Sequence, residues 1–155
     1  MHKNNFEFWY NWLLLSSIIF ALFGIIVAYF GDSLIFSIYN SYLTQTFWQS
    51  DVIPTNIREF KSFIYGPLGG TITGQYVMML FIVYYPFRKK EAWAWYAIAF
   101  SHLFWFIIDS SISIYYKAYF NFIFVNLFTI LVIGPPLIFT KKGFRTKPIA
   151  NQEAA

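Results

Sequence analysis

The two residues best suited to chemistry are His102 and Asp109, which lie in one long apolar stretch. On an α-helix, a separation of seven residues places both side chains at nearly the same angular position, about 10 Å apart along the axis. An ionisable group at membrane depth costs about 2.5–3.5 kcal/mol on insertion scales, so such groups normally face a bundle interior or a cavity. We therefore expect this pair to face inward, as candidate catalytic groups or as groups that orient a ligand.

Further polar side chains are expected at two depths, counted from the outer end of each span: Asn126 and Thr71 level with Asp109, and Gln75 and Thr129 level with His102. Two aromatic side chains share the face of this pair and would wall a pocket. The predicted ligand-binding residues are His102, Trp105, Phe106, Asp109, Gln75, Thr71 and Asn126. In the alternative interpretation, the polar members only form interhelical hydrogen bonds, each contributing about 0.6–2 kcal/mol.

Gly66, Gly70 and Gly74 recur at four-residue steps and predict a smooth stripe on which another helix packs closely. Two alternatives stay open. The glycines could instead leave room for a ligand or let the helix bend beside Pro67, and the same stripe could serve a homodimer.

Several classes of chemistry are excluded by what the sequence lacks. It has no cysteine, which excludes disulfides, iron–sulfur clusters and thiolate zinc sites. One intramembrane histidine and one aspartate do not make a zinc site, and no hydrolase, metalloprotease, P-loop or dinucleotide motif is present. The sequence therefore predicts no metal and no cofactor. Nucleic-acid binding is not expected either, because the basic residues flank apolar segments.

Composition indicates the fold class, an all-α integral membrane protein. Hydrophobic residues make up 58% of the chain and charged residues 12%, against about a quarter charged in soluble domains. Apolar runs at about 12–30, 63–85, 92–114 and 120–139 predict a four-transmembrane-helix bundle, since 19 residues span about 28 Å of a roughly 30 Å hydrocarbon core. We expect one membrane domain over 1–140 and a basic, mobile cytoplasmic tail over 141–155.

Residues 33–47 are too polar for a span and too apolar for a free loop, which indicates an interfacial or re-entrant helix between the first and second spans. Pro54 is expected to open a charged lead-in to the second span, and Pro86 to end that span.

Basic residues predict the orientation. Eight of the 11 fall on one side of the predicted bundle, at Lys3, residues 88–90, Lys141, Lys142, Arg145 and Lys147. The positive-inside rule makes that side cytoplasmic and places both termini there, in what we expect to be a bacterial inner (plasma) membrane.

The favoured functional hypothesis is a non-enzymatic bundle that binds a hydrophobic or lipid-like molecule, or a membrane-protein partner, at the face of His102 and Asp109. Membrane lipids and a second copy of the chain are the other expected partners. A membrane-embedded lipid isomerase is the alternative, with His102 shuttling a proton and Asp109 stabilising a developing cation. A third hypothesis, a proton-coupled transporter, requires a water path from both sides to Asp109.

Overall fold

Helices account for nearly all of residues 3–144, the part of the chain that the computed structural model describes, and no strand occurs in that part. The elements are α1 (Lys3–Phe30), a 3₁₀ turn (Leu34–Phe36), α2 (Ser37–Trp48), α3 (Thr55–Ile82) continued by a π-helical turn (Val83–Phe87), α4 (Ala92–Tyr115), α5 (Tyr119–Asn121) continued by a π-helical segment (Phe122–Leu127), α6 (Phe128–Thr140) and a 3₁₀ turn (Lys141–Phe144).

Four stretches are long and apolar enough to cross a membrane: Asn5–Phe30, Thr55–Phe87, Ala92–Tyr115 and Tyr119–Phe144. Each contains one of the predicted spans. The region predicted as an interfacial helix is helical in α2, and α3 begins directly after Pro54, as expected.

The junction between α3 and α4 differs from the prediction that the helix stops before Pro86. The helix continues to Phe87, where Arg88 N–H donates to the Val83 carbonyl at 3.2 Å, the five-residue spacing of a π turn. Proline supplies no N–H and crowds the preceding turn of a regular α-helix. The wider turn accommodates its ring, so the chain reverses two residues later, through Arg88–Glu91.

The closest helix contact joins α1 and α3 at Gly24 and Gly69. A Cβ built on Gly69 would lie 2.7 Å from the Ala28 Cβ, and one built on Gly24 would lie 2.7 Å from the Gly69 carbonyl oxygen. Thr73 Oγ1 donates to the Ala21 carbonyl at 3.2 Å beside this contact. The absence of side chains at the two glycines is therefore what lets these backbones meet.

The predicted stripe of Gly66, Gly70 and Gly74 contacts no other helix within the described chain, since no atom lies within 4 Å of a Cβ built on any of them. Gly69 lies about 100° around the helix from Gly70, and α1 packs on the Gly69 side. Close packing inside the chain thus uses Gly69 in place of the predicted stripe. A role for the stripe in a homodimer stays a prediction.

A tightly packed core fills the end of the bundle at the α3–α4 hairpin. Leu13, Val83, Phe87, Ile98 and Ile133 are almost completely buried there. The indole N–H groups of two tryptophans also donate to carbonyls of α6 at 2.9 Å, from Trp12 to Val132 and from Trp95 to Leu137.

Lys141–Phe144, which the sequence assigns to the tail, form a 3₁₀ turn that packs on this core. The ring of Phe144 is buried and lies 4.6 Å from that of Phe87. Arg145 and Lys147, which the sequence also assigns to the tail, lie outside the described residues.

The opposite end of the bundle is more open. α1 runs in close contact with α3, whereas α3 and α4 approach each other mainly at the hairpin that joins them. α2 lies across this open end, where the Tyr39 ring meets the Phe120 ring edge-on at 5.0 Å. The divergence of α3 and α4 leaves the space that forms the candidate site.

Candidate functional site

A cavity of about 320 Å³ occupies the space between the diverging helices. α1 and α3 supply most of its apolar wall, α4 supplies His102 and Asp109, and α2 and the last apolar stretch complete the lining. Its lining residues are Phe20, Phe23, Val27, Phe36, Tyr39, Tyr65, Leu68, Thr71, Ile72, Gln75, Tyr76, His102, Trp105, Asp109, Asn121, Val125 and Thr129.

Five of the seven predicted ligand-binding side chains line this one cavity: Thr71, Gln75, His102, Trp105 and Asp109. The periodicity explains why they meet. His102, Trp105 and Asp109 recur at three- and four-residue steps on α4, as Thr71 and Gln75 do on α3.

The other two predicted residues, Phe106 and Asn126, do not line the cavity. The Phe106 ring packs against that of Phe122 at 6.2 Å. Asn126 is fully buried, and its Nδ2 donates to Ser110 Oγ at 2.9 Å. Both side chains therefore join α4 to the last apolar stretch, beside the candidate site.

His102 carries an unused hydrogen-bonding atom inside the cavity wall. Its side chain is 3% exposed, and Nδ1 lies 2.9 Å from the Ile98 carbonyl oxygen one turn earlier. Because a carbonyl only accepts, Nδ1 carries the proton, which makes Nε2 an acceptor in the neutral ring. Nε2 is buried and has no partner among the described residues. The Tyr76 ring packs edge-on against the imidazole at 5.9 Å.

Asp109 lies in a hydrogen-bond chain that joins three elements. Asn121 Nδ2 donates to Asp109 Oδ2 at 3.0 Å and also lies 2.8 Å from Ser113 Oγ. The Asn121 Oδ1 accepts from Tyr39 Oη at 2.9 Å. α2 is thereby tied to the polar face of α4 through one asparagine.

The pKa of Tyr39 is raised above its ordinary value by burial and, to a smaller degree, by the negative charges of Tyr65 and Asp109. The phenol therefore stays protonated near neutral pH and remains the donor in this chain.

The π-helical segment Phe122–Leu127 explains why Asn121 and Asn126 both reach α4. Residues five apart lie about 140° apart on a regular α-helix, but nearly one above the other where the bonds run from i to i+5. The wider turns thus direct both amides to one face. The depth count paired Asp109 with Asn126, whereas the structure pairs it with Asn121.

A second, polar cavity of about 380 Å³ lies under α2 on the loop side and is lined by Asp32, Ser33, Asn40, Arg58 and Lys61, among others. Lys61 is 9% exposed at its side chain; it forms an ion pair with Asp32 and donates to Asn40 Oδ1 at 3.0 Å. Burial alone would raise the pKa of Asp32, but hydrogen bonds from Lys61 and Ser62 and the charges of Lys61 and Arg58 hold it below its ordinary value.

Asn121, Tyr39 and Tyr76 are among the polar residues of the candidate site that sequence reasoning missed. Asn121 lies at the start of a predicted span, where a polar residue is normally interpreted as a helix cap. Tyr39 belongs to the helix between spans, and Tyr76 reads as an ordinary apolar-face residue. The signal in all three cases is a hydrogen-bonding group adjacent to an already suspected helix face.

The arrangement can hold an apolar molecule and orient it by two acceptors, the imidazole Nε2 and the carboxylate. Among residues 3–144, no three histidine, cysteine, aspartate or glutamate side chains form a group that could hold a metal ion. A comparison of the chain with known proteins finds no matching family model, no matching curated protein and no matching solved structure.

Proposed function

We propose that this chain is a multi-pass membrane protein that binds a hydrophobic or lipid-like molecule in the cavity between α3 and α4, without catalysing a reaction. Membrane insertion is supported by the four long apolar helices and by the many large hydrophobic side chains on their outer faces. The basic hairpin Arg88–Lys90 and Lys141 and Lys142 lie at one end, which favours that end as the cytoplasmic one.

The observation that carries the proposed ligand binding is the unpartnered Nε2 of His102. A buried polar atom without a hydrogen bond costs about 1–3 kcal/mol, and native proteins leave few of them. The residue that carries this buried atom lines a cavity walled mainly by aromatic and aliphatic side chains, the common composition of small-molecule sites. A ligand that donates a hydrogen bond to Nε2 would remove this cost and fill the cavity.

Native mass spectrometry of the gently solubilised protein tests the proposal. We expect the wild type to carry a specific adduct, which is reduced or lost in His102→Ala and in Asp109→Asn. Ser111→Ala is the matched control, since Ser111 is an exposed residue of α4 outside the cavity lining, and its hydroxyl donates to the Ile108 carbonyl of its own helix. The protein should be incubated with lipid extracts that supply candidate ligands before the measurement. If wild type and both variants then show only the mass of the protein without an adduct, the proposal is contradicted.

A lipid isomerase is the second candidate, favoured by the placement of His102 and Asp109 on the wall of one cavity. Such an enzyme exchanges a carbon-bound proton with solvent. Membranes incubated in deuterated water would then show a bound lipid with added mass in wild type and not in His102→Ala. If the bound lipid gains no deuterium in wild type, binding without catalysis is favoured.

A further inference from the structure

The charge balance inside the cavity narrows the class of ligand. The one ion pair in the described part of the chain joins Lys61 and Asp32, in the other cavity. Asp109 has only the neutral amide of Asn121 as a hydrogen-bond donor there. Ionised groups at this depth normally find a partner of opposite charge, and residues 3–144 place none in an ion pair with this carboxylate.

The polar neighbours of Asp109 are already engaged with one another. Asn121 uses its amide N–H groups on Asp109 and Ser113 and its carbonyl on Tyr39. Asp109 Oδ1, by contrast, has no protein donor among the described residues. The network thus holds the carboxylate in place and leaves an acceptor for a ligand.

Both polar anchors of the cavity are acceptors, because His102 Nε2 carries a lone pair and a carboxylate has no proton to give. At these two anchors, a ligand headed by a carboxylate or phosphate would face acceptors and a like charge, although Thr71, Gln75 and Trp105 supply donors elsewhere in the lining. A ligand headed by an N–H donor meets complementary atoms at both anchors.

Aromatic rings surround the same space. Tyr39 and Trp105 line the cavity together with Asp109, whereas the ring of Tyr65, which also lines it, already has Lys61 Nζ 5.2 Å from its centroid. Faces of tyrosine and tryptophan attract cations, with an energy that rises when water is excluded. The wall that would hold a hydrocarbon chain therefore also favours a positive charge at its polar end.

We propose that the ligand is a lipophilic amine in its protonated form, with the ammonium group at the Asp109 carboxylate and the hydrocarbon part in the cavity. This inference rests on the proposed ligand binding and assigns its chemical class. The size is bounded by the volume: a cavity of about 150 Å³ holds benzene, so 320 Å³ holds on the order of a dozen non-hydrogen atoms.

Dodecylamine and dodecanol make a matched pair of probes, because they have the same chain and differ at the head group. An alkylamine resembles the lysine side chain, whose pKa is about 10.4, and is charged at neutral pH. With the protein in neutral maltoside detergent, we expect wild type to bind the amine about 10- to 100-fold more tightly than the alcohol, the range of a charge-assisted hydrogen bond.

Asp109→Asn keeps the size of the side chain and removes its charge. We expect this variant to bind the amine no better than the alcohol, while its affinity for dodecanol stays within about twofold of wild type. Asp51→Asn, at an exposed carboxylate, is the control and should keep the preference. Equal affinities in wild type, or a preference that survives Asp109→Asn, would overturn the amine assignment but leave hydrophobic binding intact. No binding of either probe would overturn the proposed function as well.

A covalent measurement on wild type decides the matter if Asp109→Asn does not fold. An apolar carbodiimide couples a carboxylate with an adjacent amine to form an amide. The water lost in this condensation converts the carbodiimide to a urea. With dodecylamine present, peptide mass spectrometry should find the dodecylamide on Asp109. Dodecylamide on exposed carboxylates such as Glu7 and Asp51, and none on Asp109, would overturn the inference.

Discussion

Asn121 holds the carboxylate of Asp109 through a 3.0 Å hydrogen bond while its own carbonyl accepts from Tyr39 on α2. One side chain thus fixes the position of Asp109, the only carboxylate among the described residues that lines the apolar cavity, and also binds Tyr39 of α2. Stability and site geometry are coupled at this residue, which makes it the first place to test the structure.

Replacing Asn121 by Ala should lower the free energy of unfolding by about 1–3 kcal/mol, because Tyr39, Ser113 and Asp109 each lose a partner. Reversible denaturation in detergent, followed by circular dichroism, measures this change. Asn11→Ala provides a control at an exposed amide on α1 and should change stability by less than about 0.5 kcal/mol. If both variants unfold like wild type, the hydrogen-bond chain contributes nothing.

His102 should behave differently, as a residue whose removal harms binding more than folding. His102→Phe deletes an unpartnered Nε2, and the Ile98 carbonyl keeps its place in the backbone ladder of α4. We expect the free energy of unfolding to change by less than about 1 kcal/mol, since an apolar ring of similar shape replaces a polar ring that lacks one hydrogen-bond partner.

The same His102→Phe variant should lose the bound adduct in native mass spectrometry. A loss of several kcal/mol in stability would instead show that His102 serves to hold the helices together.

The sequence was sufficient for the four apolar helices, for the helix between the first two, and for the convergence of the α3 and α4 polar faces on one cavity. Hydropathy and helical periodicity are properties of each segment, so they can be determined from the sequence without knowing which elements pack against it. His102, Trp105 and Asp109 share a cavity wall because their spacing alone puts them on one face of α4.

What could not be predicted depends on contacts between elements. Depth counted from the predicted span ends paired Asp109 with Asn126, whereas its hydrogen bond comes from Asn121, in the first turn of the last apolar stretch. Gly69 faces α1 and is needed for close packing, whereas the adjacent Gly70 is not. The position of α1 relative to α3 cannot be determined from the sequence pattern of α3.

Gly69→Ala and Gly70→Ala should therefore have opposite effects. The added methyl at Gly69 meets Ala28 and the backbone at Gly24, and overpacking of this kind costs about 1–3 kcal/mol. At Gly70 the methyl meets no atom, and alanine favours a helix over glycine by roughly 0.5–1 kcal/mol. Thermal or denaturant unfolding of the two variants in one detergent makes the comparison.

Equal destabilisation by Gly69→Ala and Gly70→Ala would contradict the α1–α3 contact. A fall in oligomeric mass for Gly70→Leu alone would assign the open glycine stripe to a homodimer.

The ion pair between Asp32 and Lys61 predicts a pH dependence with a definite sign. The pKa of Asp32 is lowered in the folded protein, so its contribution to stability is full above the ordinary value of 3.8 and is lost as the pH falls through the lower folded value. Asp32→Asn should therefore cost about 1 kcal/mol at pH 7, the upper range for a partly exposed pair. The difference from wild type should vanish near the acidic limit of folding.

Glu59→Gln serves as the control for Asp32→Asn, because Glu59 is an exposed acid on α3, two residues from Lys61. It should show no such dependence. Unfolding curves for the three proteins between pH 3 and pH 7 make the test. If the difference in free energy of unfolding between Asp32→Asn and wild type is constant over that range, the variant acts through packing and not through the charge.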